Sequence, residues 1–155
     1  EISCSLVGSE MCIRDSCCAR FVSYALDNVL NAPLVPGVMD VLERWHGRVP
    51  MYVCSGTPQE ELQSVLEQRG LARYFTGICG TPPAKAELLK GIVRKERIDP
   101  ADAVMVGDAT TDSDAAEAAE TLFYGRGPFF ENTAYPHGSD LTGLNRWLEE
   151  LAGNE

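Results

Sequence analysis

The chain has 155 residues, which is the size of one domain and enough to bury a core of moderate size. Its 23 acidic and 13 basic residues give a formal net charge of −10, which argues against nucleic acid or an anionic membrane as a partner. Any anionic substrate would therefore need a metal ion or a cluster of N–H groups to hold it. No apolar stretch of the sequence is long enough to span a bilayer.

Residues 6–16 (LVGSEMCIRDS) show neither a helical nor a strand period. They resemble the translation of a transposase adapter used to prepare sequencing libraries. We therefore expect residues 1–16 to be an adapter-derived artefact with no fold of its own, and the natural protein to have begun well upstream. An ordinary disordered N-terminus is the alternative interpretation.

Apolar residues beyond this segment alternate between a helical period and short continuous runs. Because strands and helices alternate, we predict an α/β, Rossmann-like fold with helices on both faces of a mostly parallel sheet. Thr57 is predicted to cap a helix, with Pro58 at its first position and Glu60 completing a capping box. The predicted elements are helices over 17–31, 36–47, 57–70, from about 84, from about 112 and over 141–151, strands over 51–54, 75–79, 104–106 and 121–124, and a polar loop over 125–138.

Six cysteines include no Cys-x-x-Cys pair, which argues against a zinc site. Four of them fall within the first eighteen residues, while Cys54 and Cys79 lie in apolar runs. We expect Cys54 and Cys79 to be buried free thiols in a reducing cytoplasm rather than halves of a disulfide.

Three short stretches could together form one site. Ser55-Gly56-Thr57 follows a predicted strand, where a hydroxyl and backbone N–H groups can donate to a phosphate, although such a turn is more often only a helix cap. Lys85 follows two prolines at a predicted helix start, where a cation opposes the helix dipole, which indicates either a functional use or an ordinary surface lysine. Lys90 is the competing candidate, but its mid-helix position is typical of a solvated face.

The third stretch is Gly107-Asp108 with Asp112, after the strand over 104–106. Asp108 could hold a hard cation through oxygen, and Asp112, one helical turn later, could orient that carboxylate or be only the N-cap of its helix. Asp114 is interpreted as a solvated helix residue. All three stretches fall where a parallel sheet brings its carboxyl ends together, and this joint pattern indicates a phosphate and metal site.

Residues from about 33 to 151 resemble the haloacid dehalogenase-like hydrolases, in particular the branch that contains phosphoglycolate phosphatases. The resemblance rests on four stretches in order: 33–38, 52–57, 74–85 and 106–116. It implies a magnesium-dependent phosphatase that hydrolyses a small phosphorylated metabolite through an aspartyl-phosphate. At the matching positions, Ser55, Gly56 and Thr57 would bind the phosphoryl oxygens, Lys85 would neutralise charge, and Asp108 would coordinate Mg²⁺ with support from Asp112.

One part of the family pattern is absent from the sequence, namely a strand ending in Asp-x-Asp that carries the nucleophile. Residues 112–114 have the spacing but belong to the Gly-Asp stretch. The resemblance therefore implies residues 17–32 as a remnant of a helical cap and 33–155 as a core domain without its central strand. We expect this chain to be inactive and, because two buried strand edges would lack partners, to fold poorly or aggregate when expressed alone.

Two other interpretations stay open. The chain could be a non-catalytic relative that binds a phosphate or a partner, which would require a natural start near residue 17. A receiver-like signalling domain also gathers aspartates, a hydroxyl and a lysine at one sheet edge, but there the acidic pair comes first and the lysine last.

Overall fold

A computed structural model describes residues 27–153, so the segment over 1–16 and most of the predicted helix over 17–31 lie outside the described residues. Residues 27–31 are helical. No helix in this part of the chain combines the length and the apolar composition needed to cross a membrane. The elements that follow are α1 (Val38–Trp45), β1 (Tyr52–Pro58), α2 (Gln59–Gln68), β2 (Gly77–Thr81), α3 (Lys85–Glu96), β3 (Val104–Gly107), α4 (Thr110–Ala119), β4 (Leu122–Arg126), β5 (His137–Gly138) and α5 (Leu144–Ala152).

Every strand pair is parallel, and the predicted α/β class is confirmed. The strands form two hydrogen-bonded sheets, one of β1 and β2 and the other of β3, β4 and β5 in that order. Cys54 lies opposite Cys79 in the first sheet, and Gly107 lies opposite Gly125 in the second. Within residues 27–153, β1 and β3 therefore each have a strand on one side only.

Alternate side chains of β4 show that helices cover both faces of its sheet. Phe123 points into the layer of α3 and α4. The next residue, Tyr124, points the other way and contacts Trp147 of α5, with 5.2 Å between the ring centroids. On that side α5 packs against α1, where the Trp45 indole donates a hydrogen bond of 2.9 Å to Asn145.

The core joins the two sheets through a pair of helices. α3 contacts β1 and packs against α4, which contacts β3 and β4. The alanines of α4 carry almost no side-chain bulk, so the two helices can approach closely, and the half-buried Cys54 of β1 packs against the same cluster. The cluster consists of Leu89, Met105, Ala116, Ala119, Phe123 and Phe130.

Two local predictions are wrong. β1 extends through the predicted turn to Pro58, and α2 begins at Gln59 with Pro58 as its cap residue, so Thr57 does not cap the helix. The pairing of β1 with β2 becomes irregular between Cys54 and Pro58, which explains how a turn-like sequence continues an extended strand. The predicted loop over 125–138 also contains the end of β4, a short 3₁₀ helix at Pro128–Phe130 and β5.

The one-sided pairing of β1 and β3 predicts self-association of the 155-residue chain, because unpaired strand edges recruit other strands. A charge near such an edge should suppress the effect. We expect the unsubstituted chain to form oligomers at micromolar concentration in sedimentation velocity, and Val106→Lys on β3 to reduce them.

Leu122→Lys provides the matched control, because Leu122 is 37% exposed and Val106 36%, but β4 has a strand on both sides. We expect this control to change the distribution much less. A chain that stays monomeric over the whole concentration range would contradict the prediction.

Candidate functional site

The structure brings four charged side chains together where β3 and β4 end and where α3 and α4 begin: Lys85, Asp108, Asp112 and Arg126. Three of them are residues that the sequence predicted. The fourth, Arg126, was not predicted. The two ion pairs that these residues form are joined through the backbone between Gly107 and Asp112.

Asp112 is the centre of this network. It is buried, with 5% of its surface exposed. Its Oδ1 accepts a hydrogen bond of 2.6 Å from Lys85 Nζ, while its Oδ2 accepts from the backbone N–H groups of Asp108 at 3.1 Å and Ala109 at 3.2 Å. Because α4 begins at Thr110 with Ala109 as its cap residue, the hypothesis that Asp112 is only an N-cap is wrong. Asp112 instead fixes the backbone that carries Asp108.

Gly107 makes this arrangement possible. A Cβ atom added at Gly107 would lie 2.2 Å from Cβ of Asp112, far inside contact distance. The Asp112 side chain can therefore lie directly against the end of β3 only because residue 107 has no side chain. In the Gly-Asp sequence, the glycine therefore makes room for the Asp112 side chain, and the aspartate supplies the partly exposed carboxylate.

Lys85 is the first residue of α3, as predicted. A cation at this end opposes the helix dipole, and Asp112 offsets that cost through the ion pair. The Lys85 side chain is 23% exposed, so it can still reach a solvent-borne ligand while one of its protons is held by Asp112. Lys90, the competing candidate, lies farther along α3 and makes a 3.5 Å pair with exposed Glu87.

Asp108 lies directly after β3 and pairs with Arg126 at the end of β4, with 2.5 Å between Oδ2 and Nη2. The strand register explains this ion pair. Gly107 lies opposite Gly125, so the residues that follow them, Asp108 and Arg126, are neighbours. The sequence signal for this role was a basic residue shortly after the predicted strand over 121–124. Arg126 was not recognised because it lies in the stretch predicted to be a loop.

Ser55, Gly56 and Thr57 lie in the last part of β1, where its pairing with β2 is irregular. The Ser55 hydroxyl accepts a hydrogen bond from the Thr57 N–H at 3.1 Å and donates to Thr57 Oγ1 at 3.0 Å. Gly56 is exposed, and a Cβ there would meet nothing within 4 Å. No hydrogen bond among the described residues joins Ser55 to the Lys85–Asp112 pair, so a ligand would have to bridge them.

Cys54 of β1 lies near the ion pair of Lys85 and Asp112. Burial raises the pKa of its thiol to about 11, and the nearby Cys79 and Asp112 also raise it, while Lys85 acts in the opposite direction. Since Lys85 and Asp112 both influence this thiol, the residue before Ser55 lies within electrostatic range of the ion pair. Cys54 and Cys79 are free thiols, as predicted, but each is half-buried rather than fully buried.

Of the two acids of this site, Asp108 is the one with a carboxylate oxygen open to a divalent cation. Within residues 27–153, no group of three or more His, Cys, Asp or Glu side chains is placed to hold a metal ion. Both oxygens of Asp112 are occupied by N–H donors. Asp108 is 31% exposed, and its Oδ1 accepts no hydrogen bond from a described residue. A single carboxylate oxygen of this kind suits a hard cation that keeps several waters.

A cavity of about 320 Å³ lies elsewhere, near the amino ends of β1 and β2, and is lined by residues 46–50 and 74–76. Its side chains include His46 and Tyr74, whose rings meet edge to face. It contains none of the predicted site residues, so the site lies at the exposed strand ends rather than in this cavity.

The buried contacts of Asp112 predict a large loss of stability in Asp112→Ala. This change leaves Lys85 and two backbone N–H groups without their acceptor, which should lower the free energy of unfolding by about 2–4 kcal/mol. Asp114→Ala is the control on the same helix, because Asp114 is exposed, and should change stability by less than about 0.5 kcal/mol. Urea unfolding followed by tryptophan fluorescence measures both, and equal effects would contradict the role of Asp112.

The raised pKa of Cys54 predicts slow alkylation. At pH 8 its thiolate population should be about a hundredfold lower than that of a thiol with the ordinary value, because two pH units separate about 11 from 9.0. Peptide-resolved mass spectrometry with iodoacetamide should show the rate rising until pH reaches about 11. Lys85→Met should slow the reaction further and Asp112→Ala should accelerate it. A rate at pH 8 equal to that of the unfolded chain would contradict the assignment.

The family model for haloacid dehalogenase-like hydrolases matches residues 18–120. A phosphoglycolate phosphatase from Vibrio parahaemolyticus is 29% identical over 128 residues, which cover 79% of this chain and 54% of that protein. A fructose-1-phosphate phosphatase from Escherichia coli is 30% identical over 102 residues, covering 63% of this chain and 52% of that protein. The chain thus spans about half the length of these curated relatives.

A solved haloacid dehalogenase-superfamily hydrolase from Geobacter sulfurreducens has a similar fold, with a TM-score of 0.71. It is 24% identical and covers 85% of this chain, while the match covers 69% of that structure. This likeness concerns the fold alone. The family model, which matches most of the sequence, shows that the chain belongs to the haloacid dehalogenase-like hydrolases.

Proposed function

We propose that the intact protein is a magnesium-dependent phosphatase of the phosphoglycolate phosphatase-like branch, which hydrolyses a small phosphomonoester through an aspartyl-phosphate. The observation that carries this proposal is the network around Asp112, which holds a lysine and the strand end bearing Asp108 in one rigid unit. Such a unit presents a fixed positive charge and a fixed carboxylate side by side, which suits phosphoryl transfer.

Each residue has a proposed role in this reaction. Ser55, Gly56 and Thr57 would donate to the phosphoryl oxygens from the end of β1. Lys85 would neutralise charge on the phosphate, Asp112 would hold Lys85 and the Asp108 backbone, and Asp108 would supply one oxygen to the metal. When bound, Mg²⁺ would neutralise phosphoryl charge and orient the transferring group.

The attacking carboxylate is proposed to come from a strand that residues 27–153 do not supply. In support, β1 and β3 have a strand on one side only within the described part. Asp112 cannot attack while three donors hold it, and Asp114 is exposed on α4. On this proposal, residues 33–155 form the core domain, residues 17–32 are a remnant of a cap, and the chain alone does not turn over.

The proposed substrate class follows from the relatives' names, which include phosphoglycolate and fructose 1-phosphate phosphatases. Both names specify a small phosphorylated metabolite, and phosphoglycolate is the first substrate to test. The free thiols Cys54 and Cys79 are compatible with the reducing cytoplasm that we propose as its location. The net charge of −10 supports a partner other than nucleic acid or an anionic membrane.

A non-catalytic phosphate-binding module is the second candidate. One observation favours it: both acids of the site are already paired with a cation, Asp108 with Arg126 and Asp112 with Lys85. Such a charge-balanced site could hold a phosphate without reacting with it.

A chimera tests the two candidates. The part of the Vibrio parahaemolyticus relative that precedes the position equivalent to residue 33 would be joined before residue 33. We expect the 155-residue chain to release no phosphate from phosphoglycolate with Mg²⁺, and the folded chimera to do so. Lys85→Met in the chimera should lower kcat/KM by about a hundredfold or more, since a fixed charge on the phosphate is lost.

Lys90→Met is the matched control on the same helix and should leave kcat/KM within about twofold. Turnover by the 155-residue chain alone would contradict the proposed source of the nucleophile. A folded chimera without turnover, whose parent chain binds inorganic phosphate in calorimetry, would favour the binding module.

A further inference from the structure

Arg126 makes an ion pair that differs from the other arginine pairs in the described residues. Arg44–Glu149 joins two exposed side chains on α1 and α5, and Arg146–Glu150 spans one turn of α5 with the arginine side chain 87% exposed. Arg126 is 25% exposed, and its partner is the carboxylate at the end of β3. This pair therefore belongs to the site rather than to the solvated surface.

The backbone delivers Arg126 to this position rigidly. Arg126 is the last residue of β4 and lies opposite Gly138 of β5. The N–H groups on either side are also held, since Gly125 donates to Pro136 and Gly127 to Gly138, both at 2.8 Å. Gly127 then adopts a φ of +93°, a conformation that glycine accepts readily, and turns the chain away from the strand. The Arg126 side chain is therefore attached to a fixed strand end, next to the end of β3 that carries Asp108.

The two acids of the site differ in whether a carboxylate oxygen is free to bind a ligand. Asp112 has both oxygens occupied and 6% of its side chain exposed. Asp108 uses only Oδ2, for Arg126, and 31% of its side chain is exposed. A cation that approaches Asp108 meets one open carboxylate oxygen and, next to it, the positive guanidinium. Like charges this close repel, and the repulsion is stronger where solvent is partly excluded.

We propose that Arg126 is a positioning residue that competes with a divalent cation for Asp108 and so sets the metal affinity of the site. In the absence of metal, the guanidinium neutralises Asp108 and holds its carboxylate at the strand end. Metal binding requires the guanidinium to yield Oδ2 or to share the carboxylate. This inference rests on the proposed function, in which Asp108 is a ligand to the cation.

The test is a titration of the full 155-residue chain with Mn²⁺, in which electron paramagnetic resonance reports the free ion independently of enzymatic activity. Arg126→Gln removes the competing charge and should tighten Mn²⁺ binding about tenfold, the equivalent of about 1.4 kcal/mol. Arg126→Lys keeps a cation at the same place and should remain close to the unsubstituted chain. Arg146→Gln, which breaks an exposed pair on α5, is the matched control and should change nothing.

Two further variants separate this inference from the proposed function. Asp108→Asn should abolish the binding, and Asp108→Asn combined with Arg126→Gln should not restore it. If Mn²⁺ binds Asp108→Asn as well as the unsubstituted chain, the proposed metal ligand is wrong and the competition fails with it.

If Asp108→Asn loses binding but Arg126→Gln binds no more tightly than the unsubstituted chain, the competition alone is overturned. Weaker binding in Arg126→Gln, or none, also overturns it and would assign Arg126 a purely orienting role. Circular dichroism of each variant checks that the fold is retained.

Discussion

The buried carboxylate of Asp112 is the contact on which the rest of the site depends. It joins three parts of the chain, namely the start of α3 through Lys85, the end of β3 through the Asp108 N–H, and the start of α4 through Ala109. Leaving any of these donors without an acceptor in a buried place costs more than the bond itself contributes. The geometry also requires Gly107, because a larger residue would displace the carboxylate from the strand. One acid and one glycine thus fix the relative positions of a lysine and a second acid.

The same contact lies where the two sheets are joined. The sheets share no hydrogen-bonded strand pair within residues 27–153, and α3 and α4 connect them by packing side by side. Apolar side chains from both helices and from β3 and β4 fill the layer beneath the ion pair, and Cys54 reaches it from β1. The position of Ser55 relative to Asp108 is therefore set by helix packing rather than by a continuous ladder. On the proposed function, a strand between β1 and β3 would replace this indirect link with a direct one and would also carry the attacking carboxylate.

Much of this arrangement could be predicted from the sequence, because it depends on local order. Lys85 at a helix start and Asp108 after an apolar run follow from the alternation of strands and helices, and parallel strands bring such ends to one edge. The Thr57 cap was predicted wrongly because the chain remains extended to Pro58, which local capping preference does not reveal. Arg126 was missed because its role depends on the register of β4 against β3, and register is a property of pairing rather than of the strand's own residues.

Each of the two ion pairs of the site joins an aspartate to a basic side chain, but the two pairs differ in how accessible the aspartate is. Lys85 and Asp112 form a closed pair, since both oxygens of the acid are used and its side chain is buried, so the pair acts as a support. Arg126 and Asp108 form an open pair, since one oxygen stays available and both side chains are partly exposed. An acid that supports the backbone must keep its partners, because losing them would release the strand end. An acid that binds a metal ion must be able to exchange its partner. Burial therefore distinguishes the two acids where charge does not, and on the proposed function Asp108 is the carboxylate that changes partners while Asp112 keeps the strand end in place.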